Sequence, residues 1–148
     1  MESISRYLGG DHKRCDELFA QAETCVDAAR WEEAATALHA FGDALEQHFA
    51  MEENVLFPAF EKAVGSTEGP TRVMRMEHQQ MRGILAQVRT CLEQRDADAF
   101  FGYSDTLNTM VQQHNMKEES ILYPMSERVL SDRHEEIVVA MRAMEASA

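Results

Sequence analysis

Four histidines and two glutamates recur at matched positions in this sequence, and both residue types bind metal ions. The segment HFAMEENVLFP at 48–58 has its counterpart in HNMKEESILYP at 114–124, 66 residues further on. The histidines of GGDHKRC and RMEHQQM are separated by the same 66 residues. The full set comprises His12, His48, Glu52, His78, His114 and Glu118. Neutral imidazoles and carboxylates suit first-row transition metals, so the repeat predicts a metal site.

In each long repeat the histidine and the first glutamate are four residues apart, which places both on one face of a helix. These faces also carry the apolar residues, so the six side chains are expected inside the protein. Burying them without partners would cost on the order of several kcal/mol per group, which metal ions offset. A single HxxxE pair would be a surface pair contributing about a few tenths of a kcal/mol. Two pairs in register with two more histidines favour two metal ions bridged by the glutamates.

Apolar residues recur at steps of three and four in four segments, which predicts an all-α fold. The segments span residues 8–26, 38–56, 74–92 and 103–122, with turns predicted at 27–31, 65–70 and 94–98. This pattern is typical of an antiparallel up-down-up-down four-helix bundle, here with an internal two-fold repeat. The bundle is assigned to residues 1–130, and a C-terminal helical tail to residues 131–148.

Helix ends and histidine positions follow from the same reading. Pro58 and Pro124 predict a kink or a helix end, and Ser131 is a candidate N-cap for a short terminal helix. The midpoints between successive histidines fall in or beside the predicted turns. A chain that rises about 1.5 Å per residue and returns over the same number of residues regains its starting height. The four histidines are therefore expected in one layer.

Composition excludes several classes of protein. The formal charge of −12 argues against nucleic acid and against an anionic membrane surface as partners. Met1 leads into polar residues rather than a basic segment and an apolar run, so no signal peptide is expected. No stretch approaches the length of a transmembrane helix. Three cysteines without close pairing predict free thiols and a cytoplasmic location.

Taken together, DH at 11–12, HFAMEE at 48–53, EH at 77–78 and HNMKEE at 114–119 make this chain similar to the hemerythrin-like, or HHE cation-binding, domains. The resemblance covers roughly residues 5–127. It implies a four-helix bundle that holds an oxo- or hydroxo-bridged di-iron centre reacting with O2 or related small molecules. Carried onto this chain, it implies one iron on His12 and His48, a second iron on His78 and His114, and bridging Glu52 and Glu118.

One departure from oxygen-carrying hemerythrins concerns Arg82, which stands where those proteins place a further histidine. Their last bridging carboxylate is an aspartate five residues after its histidine, whereas Glu118 follows His114 by four and Glu119 fills the fifth slot. With six protein ligands instead of seven, both irons could keep open positions. Three functions therefore stay open: binding of O2 or a related molecule for sensing, delivery or detoxification; enzymatic reduction of nitric oxide or peroxide; and iron storage, donation or sensing. A metal-free helical interaction domain is disfavoured by the buried charged layer.

Several neighbouring residues have two readings. The acidic residues beside the ligands are either second-layer hydrogen-bond partners or exposed; they are Asp11, Glu53, Glu77 and Glu119. Cys15 shares the stripe of His12 and is read as core, with redox activity as the alternative. Core packing or helix-end positions are expected for Cys25 and Cys91, and no role for His39 and His134. The tyrosines that could approach the site are Tyr7, Tyr103 and Tyr123.

Overall fold

The computed structural model describes residues 2–147, which are helical over most of their length and contain no strand. The α-helices are α1 (Ile4–Asp27), α2 (Trp31–Met51), α3 (Phe57–Val64), α4 (Pro70–Glu93), α5 (Ala97–Lys117), α6 (Tyr123–Val129) and α7 (His134–Ser147). Two π-helical turns, Glu52–Leu56 and Glu118–Leu122, join α2 to α3 and α5 to α6. The predicted all-α class is confirmed.

The long helices end where turns are predicted. Residues 28–30 connect α1 to α2, and residues 94–96 connect α4 to α5. Each connection turns on a residue in the left-handed region, Ala29 with φ of 56° and Arg95 with φ of 53°. These two residues are 66 positions apart, so the duplicated sequence makes the same turn twice. Asp96 then caps α5, since its Oδ1 accepts a hydrogen bond from the Ala99 N–H at 3.0 Å.

The helices do not end at either internal proline, and Ser131 does not cap the last helix. Pro58 and Pro124 are the second residues of α3 and α6, directly after the π-helical turns. In a regular helix the proline ring would clash with the carbonyl four residues earlier. The change of hydrogen-bond pattern before each proline lets the chain continue. Ser131 lies in the turn before α7, which begins only at His134.

The long helices pack against one another in a closed set of contacts. α1 lies mainly against α2 and also against α5, while α4 lies mainly against α5 and also against α2. α7 covers α1 and α2 at one end, and it buries Ile137, Val138 and Met141 there. Within residues 2–147, no helix combines the length and the apolar composition needed to cross a bilayer.

Two hydrophobic clusters fill the interior, and a polar layer separates them. One cluster contains Phe19, Leu85 and the ends of helices α1 to α5 near the short turns. The other contains residues from α3, α6 and α7 together with Leu8 of α1. Along α1 the buried residues run from Leu8 in the second cluster, through His12, to Cys15 in the first. The histidine layer is thus enclosed between two apolar cores, which keep water away from it.

Candidate metal centre

The structure brings all six predicted site residues together in this polar layer. Each helix or π-helical turn contributes one of them: His12 from α1, His48 from α2, Glu52 from the first π turn, His78 from α4, His114 from α5 and Glu118 from the second π turn. None is more than 5% exposed. The rings of His12 and His48 lie 4.6 Å apart, and those of His78 and His114 lie 5.0 Å apart. The layer therefore contains two histidine pairs.

The donor atoms form two groups that share both glutamates. One group consists of His12, His48, Glu52 and Glu118, the other of His78, His114, Glu52 and Glu118, and the donors within each lie within 4.8 Å of one another. Glu118 lies between the pairs: its Oε1 is 3.1 Å from His12 Nε2, and its Oε2 is 3.3 Å from His114 Nε2. The Oε1 of Glu52 lies 3.0 Å from His78 Nε2 and 3.5 Å from His48 Nε2. Each carboxylate can therefore reach both groups.

Several of these donors are buried without a hydrogen-bond partner. Within residues 2–147 the orphaned atoms include the Nε2 atoms of His48, His78 and His114, Oε1 of Glu52 and Oε2 of Glu118. Their short contacts with one another lack the geometry of a hydrogen bond. Leaving one such buried atom unsatisfied costs about 1–3 kcal/mol. Five converging lone-pair donors fit a metal cation, which would satisfy them together.

A second layer of carboxylates holds the outer nitrogen of every histidine in the site. The pairs join His48 Nδ1 to Asp11 at 2.8 Å, His78 Nδ1 to Glu53 at 2.7 Å, His114 Nδ1 to Glu77 at 2.8 Å and His12 Nδ1 to Glu119 at 2.6 Å. An ionised carboxylate only accepts, so each ring donates from Nδ1 and turns its Nε2 lone pair toward the centre. The sequence left these four acids undecided. The structure makes them hydrogen-bond partners of the histidines.

Basic side chains neutralise the outer carboxylates. Arg82 donates to Glu53 at 3.1 Å and to Glu46 at 2.7 Å, and its guanidinium lies over the Phe49 ring. Although burial opposes it, hydrogen bonding with His78 and Arg82 lowers the pKa of Glu53 to about 2. Arg82 thus supports a second-layer carboxylate and does not reach the donors at the centre.

The charges at the centre shift the pKa values of the donors themselves. Burial would lower the pKa of His12 and of His78, but the surrounding glutamates outweigh it and raise both values to about 9. Burial and the charge of Glu118 raise the pKa of Glu52. For Glu118 burial acts in the same direction, but hydrogen bonds with Glu52, His114 and His12 overcome it and lower its pKa. Without a metal, protons are the cations that this cluster retains.

A tyrosine also reaches the cluster. The Tyr123 hydroxyl donates to Glu52 Oε2 at 2.6 Å and lies 3.0 Å from Glu118 Oε1 and 3.2 Å from His12 Nε2. In an α-helix a residue five positions after Glu118 would be rotated by about 140° from it. The π-helical turn, in which the Tyr123 N–H bonds the Glu118 carbonyl, instead brings both to one side. The sequence signal was the aromatic before proline in both repeats, without a role assigned to it.

The other candidate tyrosines and histidines lie outside the centre. The Tyr7 hydroxyl is directed to Met51 Sδ at 3.7 Å, and Tyr103 is exposed. His39 lies on the surface beside Asp43, and His134 Nε2 lies 2.6 Å from a backbone carbonyl near the start of α7.

All three cysteines are free thiols. Cys15 and Cys91 are buried in the first hydrophobic cluster, and Cys25 is half-buried against it. Burial raises the pKa of the Cys15 thiol to about 12, so it is protonated at neutral pH. This placement favours the core reading of Cys15.

Comparison with known protein families agrees with this geometry. Residues 3–126 match the family described as Hemerythrin HHE cation binding domain, which accounts for most of the chain. Comparisons with curated proteins and with solved structures find no match. The family binds metal cations, and the buried histidine and glutamate groups form a place that can hold them. By its sequence match and by this donor set, the chain belongs to the hemerythrin HHE cation-binding domain family.

Proposed function

We propose that this protein is a non-haem di-iron protein that binds O2 or a related small molecule for sensing, delivery or detoxification. The observation that carries the proposal is the division of six buried donors into two four-residue groups that share both glutamates. Such a division suits two ions bridged by carboxylates. A pair of irons supplies the redox chemistry that O2 and its relatives require, while the protein supplies position, charge and a dry enclosure.

Under this proposal His12 and His48 hold one iron, His78 and His114 hold the other, and Glu52 and Glu118 bridge them. The second-layer carboxylates fix each imidazole in the tautomer that presents Nε2 inward. They also increase the basicity of the rings, which strengthens metal binding. The apolar clusters on both sides of the layer limit access of water and favour small uncharged molecules.

We propose the matching architecture as well: an antiparallel up-down-up-down four-helix bundle with a two-fold repeat in residues 1–130, and a C-terminal helical tail at 131–148. Contacts of α1 with α2 and of α4 with α5 support the pairing of helices. The 66-residue spacing of the two left-handed turns and of the two π-helical turns supports the repeat. The free cysteines are in keeping with a cytoplasmic location.

The second candidate is a di-iron enzyme that reduces nitric oxide or peroxide, or a module for iron storage, donation or sensing. Arg82 is the observation that favours it. The guanidinium stands where the resemblance implies a further histidine, and ion pairs with Glu46 and Glu53 hold it away from the donors. Neither histidine pair thereby gains a third imidazole, and positions remain for a reacting molecule.

Metal analysis followed by anaerobic reduction and O2 addition tests the proposal. The expected result is two irons per chain and a visible absorption band that appears with O2 and disappears when O2 is removed. Rapid oxidation without a reversible band would favour the second candidate, and a chain that binds no iron would refute both. The double substitution Glu52→Ala with Glu118→Ala should abolish most binding. Glu46→Ala, on an exposed glutamate of α2, is the matched control and should leave the iron content unchanged.

A further inference from the structure

The two halves of the centre differ at one position of the repeat. Phe57 follows the first π-helical turn, and Tyr123 follows the second, 66 residues later. The Phe57 ring lies 5.7 Å from the His78 ring at 23°, and the Tyr123 ring lies 5.8 Å from the His12 ring at 22°. Both side chains are fully buried. The rings therefore occupy equivalent places, and the hydroxyl is the difference between them.

The hydroxyl of Tyr123 lies among the donors of one group alone. Its contacts are Oε2 of Glu52, Oε1 of Glu118 and Nε2 of His12, at 2.6, 3.0 and 3.2 Å. The other carboxylate oxygens, Oε1 of Glu52 and Oε2 of Glu118, have no hydrogen-bond partner, and neither does Nε2 of His78. One group is thus already contacted by a further oxygen, whereas the other presents bare donors.

The distances are those between neighbouring ligands of one ion. Nitrogen and oxygen donors lie about 2.0–2.2 Å from a first-row divalent ion, so adjacent donors are separated by about 3 Å. The Tyr123 oxygen keeps this separation from three donors at once. A cation that enters among His12, His48 and the two glutamates would therefore meet the phenol oxygen as well.

The surroundings of the two histidine pairs differ in polarity in the same sense. His78 is stacked on the Phe49 ring at 3.9 Å and also faces Phe57. The repeat places Asn115 and Tyr123 at the corresponding positions near His12. The pair of His78 and His114 thus has an apolar aromatic wall, which offers no protein donor and suits a small apolar molecule.

We propose that Tyr123 is a seventh protein ligand, which binds through its phenol oxygen to the iron of His12 and His48 and leaves the iron of His78 and His114 as the binding position for the small molecule. This inference rests on the proposed di-iron function. On coordination the phenol O–H bond is replaced by a bond from oxygen to iron, and the proton leaves to solvent. No electron is transferred in that exchange.

Spectroscopy of the ferric protein tests the assignment independently of activity. A phenolate bound to iron(III) gives a visible charge-transfer band, and excitation in that band enhances the ring vibrations of the tyrosine in the Raman spectrum. The wild-type protein should show both signals. Tyr123→Phe should lose them and keep two irons per chain, while Tyr103→Phe, on an exposed tyrosine, should retain them.

Azide binding to the ferric protein tests the open position. Phe57→Tyr places a second hydroxyl at the equivalent point of the other half, and we expect it to weaken azide binding by about tenfold or more, a change of about 1.4 kcal/mol or more. Unchanged azide affinity in Phe57→Tyr would overturn the assignment of the open position. A wild-type protein with two irons and no phenolate signal would overturn the ligand assignment and leave the di-iron function standing. A protein without iron would overturn both.

Discussion

The carboxylates behind the histidines are expected to strengthen metal binding in the order of their burial. Asp11 has 6% of its side chain exposed and accepts from His48, whereas Glu119 is 50% exposed and accepts from His12. Asp11→Asn keeps the size of the side chain and one oxygen acceptor but removes the charge next to the ring. Loss of a second-layer partner lowers metal affinity by about 10–100-fold. For Asp11 we expect the upper part of this range, about 2–2.7 kcal/mol.

A smaller effect is expected for Glu119→Gln, because water reaches this carboxylate and screens its charge. Exposed ion pairs contribute about 0.2–1 kcal/mol, which corresponds to at most about a fivefold loss of affinity. The comparison thus separates a buried from a half-exposed partner of the same kind of ring. The difference between the two variants is the quantity predicted from the structure.

Anaerobic titration with Fe(II) against a competing chelator would measure both affinities at one fixed pH. Arg14→Gln is the control, because Arg14 donates to Asp11 at 2.9 Å but does not contact His48. It should change the affinity much less than Asp11→Asn does. If Glu119→Gln weakened binding as strongly as Asp11→Asn, burial would not govern these contacts and the reasoning would be refuted.

Three further predictions concern protons, a thiol and the last helix. Because the glutamates overcome burial and hold the pKa of His12 and of His78 at about 9, metal binding near neutral pH should release protons. Affinity should then rise with pH up to that value, and calorimetry in buffers of different ionisation enthalpy would reveal no release if this is wrong. Cys15, with its pKa raised to about 12 by burial, should react with iodoacetamide far more slowly than half-buried Cys25, as peptide mass spectrometry can measure. Met141→Ala should lower the free energy of unfolding by about 2–5 kcal/mol in chemical denaturation, since Met141 is fully buried between α7 and the bundle; an unchanged midpoint would contradict this packing.

Much of this molecule could be predicted from local periodicity. Steps of three and four residues mark the faces of the long helices, and the three turns lie where the sequence changes character. The 66-residue repeat also identified which six side chains meet in the interior. Equal spacing along helices of constant rise returns each histidine to the same level, so no knowledge of side-chain packing was needed.

The π-helical turns mark the limit of that reasoning. A reading with 3.6 residues per turn predicts a kink or an end at Pro58 and Pro124, and it turns Tyr123 away from Glu118. The π-helical hydrogen bond from the Tyr123 N–H to the Glu118 carbonyl rotates the following residues toward the centre. A change of helix type depends on what the whole interior rewards, and a local pattern does not contain that information.

The sequence by itself determined the helices, their order and the donor types, because these follow from the periodicity of each segment and from residue chemistry. Only the tertiary structure decided that Asp11 serves His48, on another helix, and that Arg82 serves Glu53 rather than the centre. It also decided that Tyr123 reaches one half of the site while the other half has Phe57. Such contacts join residues far apart in the chain, and their partners are set by the packing of helices and by the cost of leaving buried polar atoms unpaired.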